Sequence, residues 1–201
     1  MSGILIHLMA TATLLSETWP WYVIRVAGIV AVALTFLLML SGIGMVTGAT
    51  YRFMSPLKAW VVHRALGIAL LVSGLLHVGF LLIDSFRPYS LADVLVPFAV
   101  KYEHSRVGGL SVGSLYNATG IISMYLMLLV IITSLLIIET KKRFWRWTHY
   151  LSYILMVLVF FHTLFLGTDF KHGLVRTLWI IIGLVLTVGT LSRLRRAGTT
   201  A

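Results

Sequence analysis

At 201 residues the chain has the length of one domain, but its mean hydropathy of +0.98, with 59% hydrophobic and 11% charged residues, excludes an ordinary soluble protein. It has no cysteine, which excludes a disulfide framework, thiolate-bound iron–sulfur clusters and Cys-based zinc sites, and leaves histidine as the main metal ligand. The net charge of +10 would suit nucleic acid, but its uneven distribution between loops indicates membrane topology instead.

Five segments are apolar and long enough to be predicted as membrane-spanning helices. They cover residues 21–46, 57–83, 115–138, 144–167 and 174–191. The second helix is expected to start at Ser55-Pro56, since serine suits the N-cap and proline the first helical position. We therefore predict one all-α membrane domain over residues 1–201, a bundle of about five spanning helices.

Three flanking segments are distinct from these spans. Residues 1–18 are predicted to be a separate N-terminal arm, either interfacial, packed or disordered, without the basic n-region of a cleaved signal peptide. Residues 84–113 form a long outer loop, in which residues 90–100 are expected to be a short amphipathic helix on the membrane surface. Residues 192–201 form a basic tail.

The basic residues are distributed unevenly across the two faces of such a bundle. The face with loops 51–58 and 139–146 and the C-terminus carries ten of the sixteen Lys and Arg and one acidic residue, whereas the other carries six basic and five acidic residues. Because basic residues collect in cytoplasmic loops, we predict an outside N-terminus and a cytoplasmic C-terminus. The charge is thus explained without nucleic acid.

Four histidines lie in the second and fourth spans, which both start at the cytoplasmic face. His63 and His77 are 14 residues apart and His149 and His162 are 13 apart, which corresponds to about 20 Å along each helix. The spacing predicts two His–His pairs, His63 with His149 near the cytoplasmic face and His77 with His162 nearer the outer face. Each pair can provide both axial nitrogens to a haem iron between the helices, so that two haem b groups stack across the bilayer.

The spacing of the second span supports this interpretation. His63, Gly67, Leu70, Gly74 and His77 follow a 4-3-4-3 pattern on one helix face. The two glycines leave room for a flat macrocycle; alternatively, they serve helix packing. The 13-residue spacing in the fourth span misses a common face by about 140°, which predicts a tilt, a kink or two haems at different angles.

These residues resemble the ferric reductase-like transmembrane domain, the family that includes NADPH oxidases and ferric-chelate reductases. The matching motifs are His63-Arg-Ala-Leu-Gly67 leading to His77, and Trp147-Thr-His149-Tyr-Leu-Ser-Tyr153 leading to His162. The segment from His162 to Gly167-Thr-Asp169 is similar to stand-alone bacterial members, and the resemblance covers roughly residues 22–190.

The resemblance implies electron transfer through two bis-histidine b haems in a bacterial plasma membrane, from a cytoplasmic donor to an outer acceptor. His63 and His149 would bind the inner haem, and His77 and His162 the outer one. The sequence has no glycine-rich dinucleotide-binding fingerprint, so the donor is expected to be a separate cytoplasmic flavoprotein reductase or a membrane quinol.

Two arginines are candidates for pairing with haem propionates. Arg64 adjoins His63 and would serve the inner haem, and Arg25 lies inside the first span and would serve the outer haem. Alternatively, the Arg25 guanidinium reaches out to the membrane interface.

Three functions stay open at this point. The first is an oxidoreductase component that needs a separate reductase, with oxygen, a ferric chelate, a quinone or a protein as acceptor. The second is a quinol-linked cytochrome b anchor subunit of a larger redox complex. The third is a non-redox membrane protein that binds a metal through its histidines, which the two separate depths disfavour. The expected partners are the donor and membrane lipid.

Overall fold

The computed structural model describes residues 2–85, 88–100, 106–107, 110–111 and 113–198. Its helices are α1 (Ser2–Thr47), α2 (Pro56–Leu81), α3 (Leu91–Leu95), α4 (Gly113–Leu136), α5 (Lys142–Leu166) and α6 (Gly173–Gly198), and two short strands, β1 (Arg106–Val107) and β2 (Leu110–Ser111), pair antiparallel. Within these residues five helices (α1, α2, α4, α5 and α6) are long and apolar enough to cross a membrane. The chain is a multi-pass membrane protein, and the predicted five-helix architecture is confirmed.

The first helix differs from the prediction. Instead of an arm followed by a span, α1 runs unbroken from Ser2 to Thr47 and passes through Pro20. A proline removes one backbone hydrogen bond, and the helix nevertheless continues through Pro20, which lies at the start of the candidate span Thr18–Thr47. The helix ends where Gly48 takes a left-handed conformation with φ of 77°, as glycine does after many helices.

Proline also shapes two later boundaries. α2 begins at Pro56 after Ser55, as predicted, although the Ser55 side chain makes no capping hydrogen bond. The helix expected over residues 90–100 is only α3, capped by Ser90 and Asp93, whose side chains each accept from the other's backbone N–H. It ends because Val96 precedes a proline and is extended. Of the loop 84–113, residues 86–87, 101–105, 108–109 and 112 lie outside the described residues, as do residues 199–201 of the tail.

The bundle consists of two helix pairs and a further helix. α1 packs along α2 and α4 packs along α5, whereas within the described residues α2 and α5 have little direct backbone contact. An apolar cluster of Leu70, Met127, Ile131 and Leu155 joins α2, α4 and α5. A second cluster, which includes Trp179, attaches α6 to α1 and α5. α2 and α5 therefore approach each other mainly through their side chains.

Candidate functional site: two histidine pairs

The four histidines of α2 and α5 lie at two matched depths. His63 is the eighth residue of α2 and His149 the eighth of α5, while His77 is residue 22 of 26 and His162 residue 21 of 25 in the same helices. The ring centroids of His63 and His149 are 6.2 Å apart, with their planes at 57°. His77 and His162 lie at a common depth near the other end of these helices. The structure thus brings the inner pair together and places the outer pair at one depth, as the spacing predicted.

The His63 ring is held by α1. Ser41 Oγ donates to the Leu38 carbonyl at 2.9 Å and lies 2.7 Å from His63 Nδ1. A hydroxyl has a single proton, so when Ser41 gives this proton to the Leu38 carbonyl it accepts from His63, whose Nδ1 then carries the imidazole proton. A Cβ at Gly42 would be 3.6 Å from His63 Cε1, so this part of α1 lies directly against the ring.

The His149 ring is held in the same manner by α4. Ser134 Oγ donates to the Val130 carbonyl at 2.7 Å and accepts from the indole N–H of Trp145 at 3.0 Å. Ser134 Oγ also lies 3.3 Å from His149 Nδ1, and when its own proton is given to Val130 it accepts from that nitrogen as well. The Trp145 ring is additionally 5.2 Å from the His149 ring between centroids, at an angle of 33°.

The outer pair is held by backbone instead of side chains. His77 Nδ1 lies 2.9 Å from the Ile24 carbonyl oxygen on α1, and His162 Nδ1 lies 2.9 Å from the Tyr116 carbonyl oxygen on α4. A carbonyl can only accept, so both rings donate through Nδ1–H. The two outer histidines therefore share one tautomer, in which Nε2 keeps its lone pair, and the serine contacts allow the same tautomer in the inner pair.

Two glycines let the outer rings approach these carbonyls. Gly28 and Gly120 each lie four residues after the accepting carbonyl, on the same helix face. A Cβ at Gly28 would be 2.9 Å from His77 Nδ1, and a Cβ at Gly120 would be 2.5 Å from both Nδ1 and Cε1 of His162. Neither glycine is identifiable as a site residue from the sequence, because the pairing of α1 with α2 and of α4 with α5 has to be known first.

The 13-residue spacing in α5 is accommodated without a break. α5 is continuous from Lys142 to Leu166. The acceptors of its two histidines, Ser134 and Tyr116, are 18 residues apart, which is five full turns and thus one face of α4. The two rings leave α5 in different directions but reach the same face of α4, so the kink considered from the sequence is not needed.

The geometry of the inner pair fits a haem iron. Metal–nitrogen bonds of about 2 Å would place two rings that bind one ion from opposite sides about 6 Å apart between centroids. The inner pair has this separation, 6.2 Å. In the described part of the chain no three His, Cys, Asp or Glu side chains converge, so each pair offers two ligands and not a full coordination shell. A porphyrin supplies the four remaining nitrogens.

Of the other predicted site residues, Gly74 has a clear packing role. A Cβ at Gly74 would be 2.8 Å from Met127 Cε, so the glycine accommodates a side chain of α4. A Cβ at Gly67 would meet nothing within 4 Å, and its predicted contact with a haem stays a prediction. Arg64 is exposed, with its guanidinium carbon 5.5 Å from the centre of the Trp60 ring, and its predicted role also stays a prediction.

Arg25 has a partner that the sequence did not reveal. Its Nε donates to Asp169 Oδ2 at 3.1 Å and its Nη2 donates to Oδ1, while its guanidinium carbon lies 4.3 Å from the Trp21 ring centre. The hydrogen bonds from Arg25 lower the pKa of Asp169 below its ordinary value. This ion pair joins α1 to the linker between α5 and α6, at the end of the bundle that holds the outer histidines. Contact of Arg25 with a propionate remains a prediction.

Comparison with known families identifies one match. The family model described as "Ferric reductase like transmembrane component" matches residues 26–160. This range includes His63, His77 and His149 and ends two residues before His162. No curated protein and no solved structure matches the chain.

Proposed function

The chain belongs to the family of ferric reductase like transmembrane components, and from this membership and the two histidine pairs we propose that it transfers electrons across a membrane through two b haems. The observation that carries the proposal is a common arrangement: at two depths, four rings each have Nδ1 against a carbonyl or hydroxyl oxygen, which leaves Nε2 available as a ligand. Metal-binding histidines characteristically donate their other N–H in this way.

The residues of the chain would bind, orient and separate the two redox centres. When bound, haem supplies a one-electron iron couple, whose potential depends on its axial ligands and surroundings. His63 and His149 would hold the inner group, and His77 and His162 the outer one. Between the two depths lie buried Leu70, which is midway along α2 between its histidines, and the apolar side chains packed on it. They keep this layer free of charge.

The direction of transfer is proposed from the charges. The α4–α5 turn next to His149 carries Lys141, Lys142, Arg143 and Arg146, all exposed. Basic loops are typical of the cytoplasmic side, so the inner pair would face the cytoplasm, with the N-terminus outside and the C-terminus inside. An electron donor, either a flavoprotein with an acidic surface or a quinol, would then act at this end. The acceptor would act at the outer end, which makes the chain an oxidoreductase component in a bacterial plasma membrane.

The proposal is tested by counting haems in the purified protein. We expect two b haems per chain from the pyridine haemochrome and a reduced-minus-oxidised spectrum typical of low-spin b haem. His77→Ala should remove one haem and stop transfer across the membrane, while the inner haem remains. The matched control is His172→Ala, since this histidine is exposed at the start of α6. A folded protein without haem, or a His77→Ala variant that keeps both haems, would contradict the proposal.

A further inference from the structure

The two histidine pairs differ in what accepts their Nδ1 protons. The Nδ1 atoms of the inner rings face the hydroxyls of Ser41 and Ser134, whereas the outer rings donate to backbone carbonyls. We propose that Ser41 and Ser134 are positioning residues that set the orientation and basicity of the inner ligands alone. This inference rests on the proposed function. It implies that side-chain substitutions can change the potential of the inner haem independently of that of the outer haem.

Each serine is itself directed by the backbone of its own helix. Ser41 Oγ donates to the carbonyl three residues earlier and Ser134 Oγ to the carbonyl four residues earlier. With the hydroxyl proton committed in this way, the oxygen lone pairs point away from the helix and toward the histidine. The serines therefore act as fixed acceptors, and the ring that donates to each is fixed in tautomer and rotation.

An acceptor at Nδ1–H makes the opposite nitrogen of an imidazole a more basic ligand. A more basic ligand favours the ferric over the ferrous state, so such an acceptor lowers the reduction potential of the iron that Nε2 binds. Removing Ser41 or Ser134 as an acceptor should raise the potential of the inner haem. The outer haem should be unaffected, because the Ile24 and Tyr116 carbonyls are unchanged.

The two serines are not equivalent. Ser41 lies 2.7 Å from His63, whereas Ser134 lies 3.3 Å from His149 and also accepts from Trp145. The shorter contact is the stronger hydrogen bond, and the shared oxygen is the weaker acceptor. We therefore expect Ser41→Ala to raise the potential of the inner haem more than Ser134→Ala does. Trp145→Phe should lower the potential of the inner haem, since it removes the indole donor and leaves Ser134 Oγ as an acceptor for His149 alone.

The experiment is a redox titration of the full-length protein with two haems bound, followed optically and fitted to two one-electron components. For Ser41→Ala we expect one component to rise, with up to about a tenfold change in its ferrous-to-ferric ratio, which is about 59 mV for one electron. The other component should not move. Ser41→Thr keeps the hydroxyl and should restore the original potential, and Trp145→Phe should lower the same component.

Ser73→Ala is the matched control. Ser73 is buried in α2 and its hydroxyl also donates across to α1, to the Ala27 carbonyl at 2.8 Å, but it is not an acceptor for a histidine ring. A shift in Ser73→Ala as large as that in Ser41→Ala would overturn the inference, and so would unchanged potentials in both serine-to-alanine variants with two haems retained.

Loss of haem is also informative. If Ser41→Ala loses one haem and Ser41→Thr keeps both, the positioning role is supported; loss in both variants would overturn it. If the unmodified protein folds without haem, the proposed function and this inference both fail. If two haems are retained and the serine variants leave both potentials unchanged, this inference alone fails.

Discussion

Substituting Gly120 by alanine tests how closely the His162 ring must approach α4. The new Cβ would lie 2.5 Å from Nδ1 and Cε1 of the ring. Carbon atoms in ordinary contact are about 3.5–4.0 Å apart, so the ring has to move by about 1 Å. The 2.9 Å hydrogen bond to the Tyr116 carbonyl then lengthens beyond the range in which it is effective.

The expected cost combines two effects. A lost hydrogen bond costs about 1 kcal/mol, and forcing a methyl group into a packed site costs about 1–3 kcal/mol. Together these amount to roughly 2–4 kcal/mol, which corresponds to a weakening of haem binding at the outer site by roughly 1.5 to 3 orders of magnitude. The inner site, at the other end of the helices, should keep its haem.

The assay measures the number of haems per chain in the purified variant as the pyridine haemochrome. We expect the count to fall from two haems to one, with the remaining haem still low-spin. The control is Gly79→Ala, because Gly79 is exposed on α2 and a Cβ there would meet nothing within 4 Å. Two haems with an unchanged spectrum in Gly120→Ala would refute the argument that the ring depends on the missing side chain.

Three further predictions concern the predicted site residues Gly67 and Arg25 and the ion pair of Arg25 with Asp169. Gly67→Ala should lower haem content relative to Gly79→Ala if a macrocycle lies against this face of α2; equal haem content in both variants would favour simple helix spacing. Arg25→Ala should shift the midpoint potential of the outer haem more than that of the inner, and equal or absent shifts would argue against a propionate contact. Asp169 has a lowered pKa in the folded protein, so its pairing with Arg25 stabilises the fold at neutral pH, and this contribution is lost as the pH falls through that lowered pKa. Asp169→Asn should therefore unfold at a lower temperature than the unmodified protein at about pH 7, with the difference shrinking as the pH is lowered below about 4, the ordinary Asp pKa; a difference that does not depend on pH would contradict this.

The sequence by itself determined the spans and the depth of the histidines. Hydropathy and segment length depend only on neighbouring residues, and the bilayer fixes how many apolar residues a helix needs. The depth of His63 or His149 follows from counting residues from a helix start, because an α-helix rises uniformly along its axis. For the same reason the family motifs around these residues are recognisable without a structure.

The sequence did not determine the rotation of each helix or the partner of each face. The spanning helices are apolar on all sides, so their periodicity does not show which face meets a neighbour. Only the tertiary structure placed Ser41 and Ser134 against the inner rings and brought Asp169 to Arg25, across 144 residues of chain. It also showed that Gly120 is the residue that admits the His162 ring. These contacts depend on which helices pair and on where they cross, and both are fixed by packing between segments distant in the chain.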